Sequence, residues 1–115
     1  MEVGVRERDG VTILEPNGKI TIGSAEQELN DAVHRALEGT SRNLLVDMEQ
    51  VPLIDSAGIG RLLAARTTAV NRGGNLKLLR LPPAMHDLLQ VTQLLTIFEV
   101  FDDEDEAVRS FVPTS

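Results

Sequence analysis

An α/β fold, with a central mixed sheet of four to five strands covered by about four helices, is what the order of elements in this sequence predicts. Three observations carry the prediction. Short apolar runs alternate with segments whose apolar residues recur at helical spacing, which implies parallel strands joined by right-handed helical crossovers. An Asp-Gly pair between two alternating segments near the N-terminus adds an antiparallel hairpin. With 115 residues, 42% apolar and 25% charged, the chain suits one packed core and has no room for a second, so residues 1–115 are read as a single domain.

The first element is the hairpin: Val3 and Val5 alternate with polar residues, Asp9-Gly10 suits a type I′ turn, and Val11, Ile13 and Leu14 resume the run. Pro16, Asn17 and Gly18 are expected to break it. After a short extended piece around Ile20 and Ile22, Ser24 and Gln27 have the spacing of a capping box. Ala25, Leu29, Ala32, Val33, Ala36 and Leu37 then form one apolar helical stripe that ends near Gly39. Residues Asn43 to Met48 carry the continuous run Leu44, Leu45 and Val46, the pattern of a strand buried on both faces.

After Pro52 the chain reads Leu53-Ile54-Asp55-Ser56-Ala57-Gly58-Ile59-Gly60 and becomes helical, with Ile59, Leu62, Leu63, Ala65, Ala69 and Val70 as its apolar positions and Gly73-Gly74 as its stop. Asp55 and Ser56 are therefore expected where a strand passes into a helix. Leu76 to Leu81 reads as the next strand, and Pro82-Pro83 opens a helix through Met85, Leu88, Leu89 and Val91. Ile97 to Phe101 reads as a short strand. A last helix is signalled by Asp103 with Glu106 three residues on, followed by Ala107, Val108 and Phe111. The acidic run Asp102 to Glu106 complements the positive end of that helix and is read as a solvated helix start.

Composition excludes several functions. Eighteen acidic residues against eleven basic ones give a net charge of −7, the wrong sign for a phosphate backbone, so no nucleic-acid partner is expected. The three aromatic residues are all Phe, which leaves no stacking platform for bases and little lining for a cofactor, and none is expected. Cysteine is absent, so disulfides, thiolate nucleophiles and Cys-based metal sites are excluded. The start MEVGVRERDG lacks a signal-peptide pattern, and no apolar stretch approaches the ~18 residues that span a bilayer, so a cytoplasmic protein without membrane insertion is expected. The partner expected is another protein.

The segment that carries chemistry is Asp55-Ser56. At a helix start, unpaired backbone N–H groups and the helix dipole favour a negative group, so a phosphate on Ser56 is held without unfolding the helix. Gly58 and Gly60 are read as leaving the backbone open to a partner's active site. Such a phosphate adds about −1.5 to −2 charge beside Asp55 and near Glu49. Asp and Ser are also the preferred helix caps, and residue chemistry alone reads the pair first as a cap.

Other candidates give less. His34 and His86 have no ligand neighbour at metal-binding spacing, and Gly18-Lys19 lacks the flanking residues of a P-loop. Asp47 at a strand end suits a phospho-aspartate receiver, but the acidic pair expected after a receiver's first strand is missing. No Gly-x-Ser-x-Gly elbow surrounds Ser56 and no His is near it in sequence, so no catalytic residue is assigned. Asp47 and Asp55 are read as turn and partner-contact residues. Arg61, Arg66 and Arg72 are read as a solvent face, with Arg61 near enough to Ser56 to join an interface.

The stretch Leu44-Leu45-Val46-Asp47-Met48, Val51, then Ile54-Asp55-Ser56-Ala57-Gly58-Ile59-Gly60 with Leu62-Leu63 closely resembles the STAS domain of bacterial anti-sigma factor antagonists. The likeness extends to the Gly18 turn, Arg72-Gly73-Gly74, Leu76 to Leu81, the Pro-led helix and the Phe98 to Glu106 ending. It implies a STAS-like fold and places Ser56 on the family's phosphorylated serine. It further implies a non-enzymatic regulator that binds an anti-sigma factor serine kinase when unphosphorylated and so frees a sigma factor. ATP-dependent phosphorylation of Ser56 then ends binding, and a separate phosphoserine phosphatase resets it. The partner surface implied is Asp55, Ser56, Ala57, Gly58, Ile59 and Gly60, with Thr21 and Arg61.

Two positions depart from the family pattern. Ala57 stands where a second Ser or Thr often follows the phosphorylated serine, and Thr21 stands where many members carry an Asp. Thr21 points to an altered partner or to a STAS module used outside sigma-factor control, such as a scaffold subunit of a stress-sensing or lipid-transport assembly without a phospho-switch. A separate alternative is an enzyme whose turnover depends on Ser56.

Overall fold

In the computed structural model, which describes residues 2–39 and 41–111, strands β1 (Glu2–Arg8) and β2 (Val11–Asn17) form the N-terminal hairpin. Asp9 at φ 52° and Gly10 at φ 81° are both left-handed, as a type I′ turn requires and as Asp-Gly tolerates. Strands β3 (Asn43–Asp47), β4 (Asn75–Leu79) and β5 (Val100–Phe101) follow, each parallel to its neighbour, in the spatial order β1-β2-β3-β4-β5. The connections are helices α1 (Ser24–Glu38), α2 (Ser56–Asn71) and α3 (Pro83–Val91), and α4 (Glu104–Arg109) closes the described chain. A five-stranded mixed sheet with four helices is thus the α/β arrangement that the alternation of runs predicts.

Side-chain alternation divides the core between the two faces of the sheet. Leu14, Leu44, Val46, Leu76 and Leu78 pack against Leu29 and Val33 of α1, Leu62 and Ala69 of α2, and Met85 and Leu89 of α3. On the other face Val11, Ile13, Leu45 and Leu79 pack against Ala107 and Val108 of α4. Both faces of β3 are covered, which is why its run has no polar alternation. Each of these buried leucines contributes about 1.5–3 kcal/mol relative to an exposed one.

Charged residues fasten α4 in place. Lys77 on β4 is buried; its Nζ donates to the Ser110 carbonyl at 3.1 Å and the Ser110 hydroxyl at 2.9 Å, pairs with Glu99 at 2.7 Å, and lies 4.6 Å from the Phe111 ring centroid. Glu104 accepts from Arg6 Nη1 at 3.0 Å and Arg8 Nη1 at 2.9 Å, and Asp105 pairs with Arg8. Glu104 and Asp105 therefore tie α4 to β1, where a wholly solvated acidic run was expected.

Other boundaries differ from expectation for identifiable reasons. Pro16 stays within β2 opposite Val3, on a pair that exchanges no backbone bonds and beyond the last β3 partner, Leu14, so its missing N–H removes no ladder bond. Helix α1 has no side-chain cap: Ser24 is already helical, and Gly23 precedes it at φ 115°, ψ −141°, a conformation essentially reserved to glycine. The fourth strand ends at Leu79, and Ile97 to Glu99 follow a 3-10 turn (Leu94–Thr96) and precede the two-residue β5. Leu88 and Val91 face outward from α3, at 37% and 82% exposure.

Helix α2 ends as Gly73-Gly74 predicts. The Gly74 N–H reaches the Ala69 carbonyl at 2.9 Å and the Gly73 N–H reaches that of Val70 at 3.0 Å, with Gly73 at φ 87°, a Schellman closure. Of the expected solvent-face arginines, Arg72 donates to the Leu37 carbonyl and Arg61 pairs with Glu26, so both link α2 to α1.

Candidate functional site

The site is assembled where α2 begins, against the segment that leads into α1. No strand ladder runs up to Asp55. Instead, Ile54 makes a single parallel bridge with Ile20, supported by Ile20 N–H to the Leu53 carbonyl at 2.9 Å and Asp55 N–H to the Ile20 carbonyl at 3.2 Å. Residues 20 and 54 are therefore stitched together before the helix starts.

Asp55 caps α2, as residue chemistry suggests, and does a second job that its sequence position does not reveal. One carboxylate oxygen accepts the Gly58 N–H at 3.0 Å, and the other accepts the Ile22 N–H at 2.9 Å, across 33 positions of chain. The Ile22 bond, then the Gly58 bond, hold its carboxyl below the usual aspartate range. Asp55 therefore stays ionised and fixes Thr21–Ile22 against the α2 start.

Gly58 and Ile59 face inward, at the sheet side of the helix. A Cβ on Gly58 would lie 2.5 Å from Ile54 Cγ1 and 2.7 Å from the Ile20 carbonyl oxygen. The glycine thus permits contact between the two stitched segments, where openness to a partner was expected. Gly60 differs from Gly58: it is exposed, and nothing lies within 4 Å of a Cβ built there.

Ser56, at the first helical position, is exposed, while Thr21, Asp55, Ala57 and Arg61 are partly exposed. Of the eight residues singled out in the sequence, six thus share an accessible surface and two support it from beneath. Arg61 is paired with Glu26, whose side chain is only 10% exposed. Thr21 contributes its carbonyl, which accepts the Glu26 N–H at 3.3 Å. The same few residues therefore join the α1 start to the α2 start.

Asp47 lies outside this surface. It is buried and accepts the Glu49 N–H at 3.1 Å and Arg80 Nη1 at 2.9 Å, a turn role rather than a partner contact. His34 and His86 are exposed on helix surfaces. Among the described residues, no group of three or more His, Cys, Asp or Glu is placed to hold a metal ion, and no helix is long and apolar enough to cross a membrane.

Three residues at the site escaped sequence reasoning. Ile22 and Leu53 are 78% and 50% exposed, large apolar side chains flanking the junction. Each lies outside the helical stripes, the one signal that marked them. Glu26 is buried on α1; its charge hides it in a pattern search, because only the fold brings Arg61 to it.

Comparison with known proteins gives a consistent family. The model of the STAS domain matches residues 2–107. An anti-sigma F factor antagonist of Paenibacillus polymyxa is 21% identical over 111 residues, covering 94% of this chain and 92% of the relative. Among solved structures, one assigned as an anti-sigma factor antagonist of Thermotoga maritima superposes with a TM-score of 0.88 at 22% identity, covering 95% of this chain and 93% of that one. The Bacillus cell fate determinant SpoIIAA in its phosphorylated form superposes with a TM-score of 0.73 at 18% identity, covering 95% and 98%. At these identities the structural likeness establishes the fold.

Proposed function

The chain belongs to the STAS domain family, and from that premise we propose that it is an anti-sigma factor antagonist with a phosphate switch at Ser56. Its unphosphorylated form binds an anti-sigma factor serine kinase in the cytoplasm and frees the sigma factor. Phosphate on Ser56 ends that binding, and a phosphoserine phosphatase restores it. The protein acts by binding, with no catalytic residue of its own.

The observation that carries this reading is the exposed Ser56 hydroxyl at the first position of α2, next to an Asp55 carboxylate whose bonds to Ile22 and Gly58 fix the surrounding backbone. A kinase can reach the hydroxyl without opening the core. The helix start tolerates the resulting charge, because its N–H groups and dipole favour an anion. The fold therefore survives modification while the surface changes. A phosphoserine carries about −1.5 to −2 charge. Two like unit charges about 4 Å apart at an effective dielectric near 20 repel by about 4 kcal/mol, nearly three decades of affinity.

Contacts to the kinase come from Thr21, Asp55, Ser56, Ala57, Gly60 and Arg61, with Gly58 and Ile59 setting their spacing. Incubation with ATP, magnesium and the anti-sigma factor kinase encoded nearest to the protein tests the reading by intact mass. The expected result is one added phosphate on wild type and none on Ser56→Ala. If no candidate kinase modifies Ser56, and a stable complex persists with Ser56→Glu, the protein is a STAS scaffold subunit instead.

A further inference from the structure

The two edges of the sheet differ. β5 offers two residues, whereas β1 offers seven in unbroken register with β2; of the devices that blunt an exposed edge it has charged side chains, Glu2, Arg6, Glu7 and Arg8, but no bulge and no proline. Arg8 and Val11 flank the two-residue turn and exchange both backbone bonds, so bonded pairs recur at Arg6↔Ile13, Gly4↔Glu15 and Glu2↔Asn17. The N–H and C=O groups of Val3, Val5 and Glu7 therefore point away from β2, along the open edge. Val5 is 61% exposed. Beside it runs a groove of about 400 Å³ lined by Val3, Val5, Ala32, Arg35 and Ala36.

We propose that β1 pairs antiparallel with β1 of a second copy, centred on Val5, joining two sheets across a two-fold axis. In that register the outward-pointing residues meet one another: Val5 bonds to Val5 and Val3 to Glu7, which satisfies the open backbone groups on both chains. The same register is self-complementary in charge. Glu2 of each copy falls opposite Arg8 of the other, where it joins the carboxylates of Glu104 and Asp105 that already pair with that guanidinium, and Arg6 falls opposite Gly4, which has no side chain to obstruct it. The two Val5 side chains meet on the α1 face, where β-branched cross-strand pairs are favourable and the groove otherwise exposes apolar surface. A contact confined to one short edge strand of each copy falls at the small end of interfaces, the weak, reversible class. Neither Ser56 nor the kinase surface takes part in this pairing.

Sedimentation equilibrium of the full chain from about 10 µM to about 1 mM spans the weak, reversible range and tests the pairing. The average mass is expected to rise with concentration from 12.5 kDa toward twice that value. Val5→Pro removes an outward N–H and no β1–β2 ladder bond, so the hairpin persists while the dissociation constant rises about tenfold or more. Glu2→Arg places two arginines opposite each other and weakens the dimer similarly, which decides the matter should Val5→Pro fold poorly. A monomer throughout the range, or a dimer unaffected by Glu2→Arg, overturns the proposal.

Discussion

Gly58 and Gly60 lie two positions apart on α2, yet alanine should act on them with opposite sign. At Gly58 the new Cβ would sit 2.5 Å from Ile54 Cγ1, 2.7 Å from the Ile20 carbonyl oxygen and 2.8 Å from Ile20 Cγ2. Ordinary contacts are about 3.5–4.0 Å, and the carbonyl cannot rotate away, so the helix start must move off the Ile20 segment by about 1 Å. Overpacking of this kind costs about 1–3 kcal/mol, against about 0.5–1 kcal/mol gained from better helix propensity. Gly58→Ala should therefore lose about 1–2 kcal/mol, lowering Tm by about 5–10 °C for a domain of this size. At Gly60 nothing lies within 4 Å of a Cβ, so only the propensity gain remains and Tm should rise by about 2–6 °C. Thermal unfolding followed by circular dichroism reads both. If the two variants shift Tm in the same direction, the packing assigned to Gly58 is wrong.

Two further outcomes follow from the same geometry. Asp55→Ala loses the α2 cap and the tether to Ile22, and should lower Tm by about 5–10 °C, whereas Asp55→Asn keeps the cap and should lower it about half as much; an Asn variant that unfolds at the wild-type temperature by differential scanning calorimetry would show that the tether contributes nothing. Arg6 first, and Arg8 after it, hold the Glu104 carboxyl at about 2 against an ordinary value of 4.5. Because this folded-state value is depressed, the clasp between α4 and β1 is at full strength above about pH 5 and is lost as pH falls toward 2. The Tm gap between wild type and Glu104→Gln, about 4 °C at pH 7, should close over that window, and a gap that stays constant with pH would exclude the clasp.

Much of the fold was legible because its signals are local. Asp9-Gly10 dictates its turn through φ alone, Leu44-Leu45-Val46 marks a strand covered on both faces, and Gly73-Gly74 closes α2 by bonds within one turn. The errors fell where local chemistry was overridden by distant partners. Ser24 and Gln27 have the spacing of a cap, yet Gly23 adopts a backbone that places Ser24 inside the helix. Leu88 and Val91 have helical spacing, but among the described residues no helix or strand covers them: Val91 is 82% exposed, and Leu88 only borders the 52–54 segment. The candidate site was legible as a place and not as a mechanism of assembly. Asp55 and Ser56 stand out at a helix start, whereas the Ile22 tether, the Glu26–Arg61 pair and the inward-facing Gly58 depend on contacts across some 33 to 38 positions of chain, which no periodicity encodes.

The central claim is that phosphate on Ser56 governs binding, and calorimetric titration of the anti-sigma factor kinase with unmodified and fully phosphorylated protein tests it most directly. The account predicts that phosphorylation weakens the dissociation constant by about a hundredfold or more, with the Tm of the free protein nearly unchanged. Affinities that agree within about threefold would contradict it.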